Sequence, residues 1–505
     1  MLRDNNRIFM EYIILITKDS FTPMSKFDSS MINEERRRAL RTIGAAGMIG
    51  LAGCSGDSNS EGDGGSSGDG GGGNSNAISW WNLAVQGTAK EATKKLESMF
   101  EEQTGIQVEQ TKYENTPYKS AISNALGTNE APDLFYIWPG PNRLGRYVRN
   151  GNVIPLDGVL SNKQQKAQIP DGIRGTKYKK GEILSWRNKG GKMYSIPYDL
   201  AGIPIWYNKN VLNDAGVDPK RLQHATDITW SEFLDICSKL SDAGYTAIEC
   251  GNRNRWTIGH WVSAFMIKAA GVDHYYNAAY GLKGASLTDK PFQTALSRLK
   301  KLYDDGYFNK DINSLNNNEA ASLFFNGQAG FWHQGTWVSE IISSQAPDSF
   351  AGIPDAMDYM WWPAFQDVYE NSKNERMSVV PNSTVAISSQ AAKRGDKHLA
   401  NVKKFASFFG SLDAQKAFFE ITGSPVTRTD VYDEVEMSPS QKTTTATVDQ
   451  LQSADAVGMV FDVAFLPETT EALLSAGQEL FTGASPPKLL QKAQKTNKKA
   501  LSNLK

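Results

Sequence analysis

Aromatic and polar side chains placed for binding are easier to find in this chain than side chains placed for catalysis. His-Glu-x-x-His and the phosphate-loop Gly-x-x-x-x-Gly-Lys-Ser/Thr are both absent, and Gly-x-Ser-x-Gly occurs only inside the Gly/Ser-rich run 64–68, with no strand or helix pattern around it. The five histidines (His224, His260, His274, His333, His398) show no metal spacing; His260 and His333 lie near aromatic segments. We therefore expect no catalytic residue, no metal site and no cofactor. The paired carboxylates of a glycosidase stay open, because sequence does not fix their separation. The chain holds twelve tryptophans and eighteen tyrosines. Trp81, Trp138, Trp206, Trp337, Trp361 and Trp362 fall at strand ends and chain crossings. Aromatic faces stack on the C–H faces of sugar rings, while neighbouring Asp, Asn, Arg and Lys take the hydroxyls. Trp230 and Trp261, at helical spacing, read as core.

These residues sit on an alternating α/β pattern. Ile78 to Asn82 reads as a buried strand, Thr88 to Gln103 as an amphipathic helix stopped by Gly105, and Ile106 to Tyr113 as a strand. Tyr118 to Leu126 is a helix, Leu134 to Trp138 a strand, and Arg143 to Asn150 a short helix. In open α/β sheets, ligands collect at the carboxyl ends of strands, where Trp81-Asn82 and Trp138 stand. Thr229 is placed to cap a helix with Glu232 three residues on. Trp256 heads a long apolar helix to Ala270. Cys237 and Cys250 read as two buried thiols on a helix and a strand, with a disulfide as the alternative in an exported protein.

The 505 residues, 22% charged with net charge -1, carry no basic footprint for nucleic acid and exceed one domain. Arg36-Arg37-Arg38 leads into an uncharged run from Thr42 to Gly53, too short to span a bilayer, which reads as an export signal. The paired arginines resemble a twin-arginine signal, and Leu51-Ala52-Gly53-Cys54 resembles a lipobox with Cys54 as the lipid-bearing residue. Met1 to Pro23 does not fit a signal, so translation is expected to begin at Met24 or Met31. Ser55 to Asn76, almost all Gly, Ser, Asp and Asn, reads as a disordered tether.

The stretch Gly191 to Lys209, GKMYSIPYDLAGIPIWYNK, joins two short apolar strands through small residues and prolines, as chain passing between two rigid bodies would. It resembles the first interlobe crossing of extracellular solute-binding proteins, the sugar- and oligosaccharide-binding, maltose-binding-protein-like family of ABC importers. Thr229-Trp230-Ser231-Glu232-Phe233, the run Phe325 to Phe331 followed by Gly335-Thr336-Trp337, and Thr422 to Arg428 resemble further segments of that family. The resemblance runs from about Ile78 to the end.

The resemblance implies a type II periplasmic-binding-protein-like α/β fold, two lobes joined by a multi-strand hinge. One lobe would be 77–197 with 385–424, the other 198–384 with 425–505. Met360 to Pro363 and Val379 to Ser388 would be the return crossings. Trp138 and Trp337 would contact ligand, joined by Trp81, Asn82, Tyr198, Asp199 and Trp256. Asn142 and Arg143 stand where the family has polar cleft residues, and Asp462 is a late contact. Of the consecutive Trp361 and Trp362, one at most faces a ligand if the segment is extended; Trp361 is the choice. The role implied is a lipid-anchored, monomeric, extracellular carrier. It closes on a sugar and docks on a membrane permease driven by a separate ATPase. A secreted carbohydrate-active enzyme, or a carrier of another solute such as a polyamine, peptide or metal, are the alternatives.

Overall fold

Alternation along the first strands sorts large side chains to two faces of one sheet, and that sorting builds the first lobe. The computed structural model describes residues 77–84, 87–168, 177–178, 191–379 and 381–504. The signal, lipobox and tether readings on residues 1–76 lie outside them. The sheet runs in the order Val108–Lys112, Ile78–Asn82, Leu134–Ile137, Thr384–Ile387, Ile196–Pro197. The first three strands are parallel, and the last two run antiparallel to their neighbours. Ile78 and Trp80 face one core, where the Trp80 ring meets Phe405 and Phe409 edge-on at 5.3 Å each. Phe135 and Ile137 face the opposite core with Tyr118 and Leu144. Helices Gly87–Thr104, Asp396–Phe408 and Leu412–Thr422 cover the first face with their apolar stripes.

The second lobe is a separate core. Its sheet has the order Met357–Met360, Ile205–Asn208, Ala329–His333, Thr246–Glu249. Helix Trp256–Ala270 is buried along almost its whole length, which explains why its sequence is apolar all round. Trp261 meets Trp362 edge-on at 4.8 Å at the centre of this core. Thr229 caps helix Trp230–Asp242 by accepting from the Glu232 amide at 3.2 Å. A three-stranded sheet, Ala456–Met459, Glu375–Val379, Ala201–Gly202, completes the lobe. Among the described residues, no helix is long and apolar enough to cross a membrane.

Among the described residues the chain passes between the cores at Pro197 to Ala201, at Val379 to Thr384 and beyond Val431. Beside Val426 of the first core, two of these passages meet at Asp199. Its carboxylate accepts from the Ser383 amide, from Ser383 Oγ at 2.9 Å and from Asn382 Nδ2 at 3.1 Å. Its backbone bridges to Val426, and Leu200 N donates to Pro425 O at 2.8 Å.

Two expectations are corrected. Met360 to Pro363 is not a crossing: Trp361 and Trp362 are both buried in the second core. The first apolar strand of the Gly191 to Lys209 stretch, expected over Met193 to Pro197, is not one strand: Lys192–Met193 pairs with Lys177–Tyr178, and Ile196–Pro197 forms the edge of the first lobe's sheet. Proline lacks the N–H an inner strand would need, which suits that edge. Cys237 and Cys250 are free, buried thiols whose pKa values burial raises.

Two buried polar clusters give stability tests. Asp133 is 1% exposed, accepts from Ser79 N and Oγ at 3.0 and 3.1 Å, and pairs with Arg394 and His398. Asp133→Ala strands these partners and should cost about 2–4 kcal/mol in urea unfolding. A loss below about 0.5 kcal/mol would show the cluster to be idle. In the second lobe, His260 Nδ1 lies 3.0 Å from His333 Nε2. Burial pulls His260 down to about 4, Asp462 opposing and Lys119 adding; burial and then His260 hold His333 well below its usual value. The folded chain keeps both rings neutral where the unfolded chain protonates them. Their contribution is therefore complete above about pH 6.5 and is lost as pH falls through about 4. A His260→Gln/His333→Gln variant should lose less melting temperature than the parent between about pH 7 and about pH 4.5. Parallel losses would contradict the neutral pair; comparison with the parent cancels the carboxyls that titrate in the same range.

Candidate functional site

A cavity of about 420 Å³ lies between the two lobes. Three of its walls are indole rings. Trp138 follows strand Leu134–Ile137 at its carboxyl end and rests edge-on against Tyr136 at 4.8 Å. Trp256 is the first residue of its helix, and Trp337 directly precedes helix Val338–Gln345. The last two rings meet at 6.2 Å and 71°. Trp337 Nε1 donates to Gln334 Oε1 at 2.7 Å, and Gln334 Nε2 donates to Asn317 Oδ1. Gly335 is required beside this ring, because a Cβ there would stand 2.1 Å from it.

Polar groups converge between the rings. Asn82 ends the first strand, 1% exposed; its Oδ1 holds the Ala84 amide at 2.9 Å, while Nδ2 has no partner. A buried amide donor facing a cavity is a group awaiting an acceptor. Lys119 Nζ lies over the Trp138 ring, 5.1 Å from its centroid, with Arg143 at 5.7 Å. Burial pulls the Lys119 ammonium down to about 7, Arg143 adding to the shift and Asp462 opposing it. Asp199 is pushed up to about 6 by burial, against the hydrogen bonds from Asn382 and Ser383. Burial first, and the Asp199 charge second, push Glu340 up to about 8. His260 completes this wall in neutral form.

Of the residues singled out from sequence, Asn82, Trp138, Tyr198, Asp199, Trp256, Trp337 and Asp462 line the cavity. Tyr198 does so by an edge, its ring being packed on Phe409 and Phe418. Trp81 does not: its ring leans on Tyr113 at 5.1 Å, toward the first lobe's own core. Trp361 does not: it is wholly buried, with Nε1 donating to Gln450 Oε1 at 2.6 Å. Asn142 and Arg143 lie beside the cavity and tie the lobes together. Asn142 N donates to Val463 O at 3.1 Å, its Nδ2 to Asp462 O, and Arg143 pairs with Asp462 at 3.6 Å. Sequence reading missed Lys119, Asn317 and Glu340. The run Asn316-Asn317-Asn318 was a usable signal, since Asn316 builds a capping box with Glu319. Among the described residues, no group of three or more His, Cys, Asp or Glu is placed to hold a metal ion.

This arrangement offers flat apolar walls and scattered hydrogen-bonding groups from two bodies. It suits a polar molecule with apolar faces, held from both sides. Proteins of known structure share this fold. A chitin oligosaccharide binding protein shares the fold, with TM-score 0.71 and 22% identity over 84% of this chain and 99% of its own. A raffinose-bound solute-binding protein superposes with TM-score 0.65 at 14% identity over 84% of this chain and 99% of its own. An uncharacterized ABC transporter extracellular-binding protein of Pyrococcus horikoshii is 25% identical over 378 residues, 71% of this chain and 74% of that one. The multiple sugar-binding protein of Streptococcus mutans is 23% identical over 238 residues, 46% of this chain and 51% of that one. The family profile described as bacterial extracellular solute-binding protein matches residues 80–416, and the chain belongs to that family.

Proposed function

We propose that this chain is the sugar-binding component of an ABC importer, lipid-anchored through Cys54 and exported by the twin-arginine route. The observation that carries the sugar reading is the pairing of three tryptophans with an unpartnered Asn82 Nδ2 in one interlobe cavity. Aromatic walls take the C–H faces of a pyranose, and the amides of Asn82 and Asn317, with Lys119 and His260, take its hydroxyls. Glu340, raised toward neutrality, adds a hydroxyl donor. The lobes are proposed as 77–197 with 385–424 and 198–384 with 425–505, with the last boundary moved past Val431 because Val426 and Val431 pack in the first core. They close on the ligand because it touches both, and only by the free energy of those contacts. Delivery to a permease follows, driven by a separate ATPase, with this chain acting as a monomer and changing no bond in the sugar.

Neutral mono- and oligosaccharides should raise the melting temperature in a concentration-dependent way, and no reducing sugar should be released. Trp337→Ala should weaken the best ligand roughly tenfold or more, about 1.4 kcal/mol or above, with unfolding little changed. An unaltered affinity would remove the indole wall from the reading, and turnover would favour an enzyme. In cells, Cys54→Ser should move the protein out of salt-washed membranes. Retention of that variant would sink the anchor.

A further inference from the structure

We infer that the outer face of the C-terminal helix, Pro486–Ser502, is a docking surface for an anionic lipid bilayer. This rests on residues far from the sugar site and is independent of the sugar reading. The helix buries Leu489, Leu490, Ala493, Asn497 and Ala500 against the second lobe. Its outer face carries Lys488, Lys492, Lys495 and Lys499, spaced four, three and four residues apart, with Lys498 beside them, all exposed. That spacing makes one straight stripe about 16 Å long at about 1.5 Å per residue. The helix contains no acidic residue. Among the described residues, only Lys492 of the five has an ion-pair partner, Glu479 at 2.7 Å. Like charges three and four residues apart repel and weaken a helix. A chain with net charge -1 has no general reason to gather them in one line.

Two exposed apolar side chains lie near the end of the helix, off the lysine face. Among the described residues, the exposed large apolar side chains are Leu282, 36% exposed, and Leu504, 41% exposed. Both adjoin the last turn of this helix. Gly281 lies against Leu501, Asn497 Nδ2 donates to Ala278 O at 3.2 Å, and Leu504 N donates to Leu501 O at 3.3 Å. Lys283, also exposed, sits on the same loop with φ +52. A straight line of exposed, largely unpaired lysines is the pattern of a surface that meets anionic headgroups; the Gly281 loop meets the helix at Leu501, two residues past Lys499 and so on its other side, and the two leucines are not part of that line. A protein partner fits less well, because protein interfaces are poor in lysine and rich in arginine and aromatic residues, and this face has neither.

The test uses the full chain carrying Cys54→Ser, so that no lipid is attached, with phosphatidylglycerol/phosphatidylcholine vesicles and with phosphatidylcholine vesicles alone. The parent should sediment with the anionic vesicles, less so as salt rises. Lys488→Gln/Lys492→Gln/Lys495→Gln/Lys499→Gln should lower that binding roughly tenfold or more. Leu282→Ser/Leu504→Ser, off that face, should leave the binding at the parent value. An environment-sensitive dye on a Gln491→Cys variant, an exposed position beside the stripe, should shift to the blue with anionic vesicles only. All these side chains are exposed, so melting temperatures should stay at the parent value and exclude unfolding. Vesicle binding unchanged in the lysine variant, or binding lost only to the assembled permease, would overturn the proposal.

Discussion

Asp199 sets the terms for the rest of the molecule. It is a carboxylate 3% exposed, at the point where two passages of chain run beside Val426 of the first core. Burial alone would drive such a group to take up a proton, and it is pushed to about 6 for that reason. Donors from Asn382 and Ser383 hold the charged form against that pressure. The result is a polar tie between Tyr198, packed in one core, and Leu200, packed in the other. Two cores that share no sheet are thereby joined beside the cavity that lies between them.

From that constraint the site follows. Trp138 projects from the first lobe's sheet at a strand's carboxyl end, while Trp256 and Trp337 stand at helix beginnings in the second lobe. Each ring is fixed by its own lobe, Trp337 through Gln334, Trp138 through Tyr136. Rigid walls on two bodies meet a ligand with little side-chain ordering left to do. The same opposition brings Lys119, His260, Asp199, Glu340 and Asp462 into one desolvated space, where their charges act on each other. The tie of Asn142 and Arg143 to Asp462 and Val463 closes one end of the same space.

Much of this was legible in the chain itself. The helix from Trp256 to Ala270 was readable to the residue, because burial all round leaves an apolar run with clear ends. The Thr229 cap and the strand Ile78–Asn82 carried equally local signals. The three-stranded sheet was not legible, since Ala201–Gly202 is two residues long and no pattern of period two can show in it. Trp361 and Trp337 look alike as sequence, each an aromatic near a chain crossing. What separates them is whether the surrounding core closes over the ring, and it closes over Trp361. Lys119 and Glu340 read as ordinary polar residues on helices; their burial comes from the opposite lobe, which no local pattern encodes.

The account stands on closure of two bodies around a ring-shaped solute. Small-angle X-ray scattering of the protein, with and without a saturating amount of the sugar that most raises its melting temperature, addresses this most directly. A smaller radius of gyration in the loaded protein is the predicted result. Superimposable curves from a protein shown to be saturated would contradict the clamp.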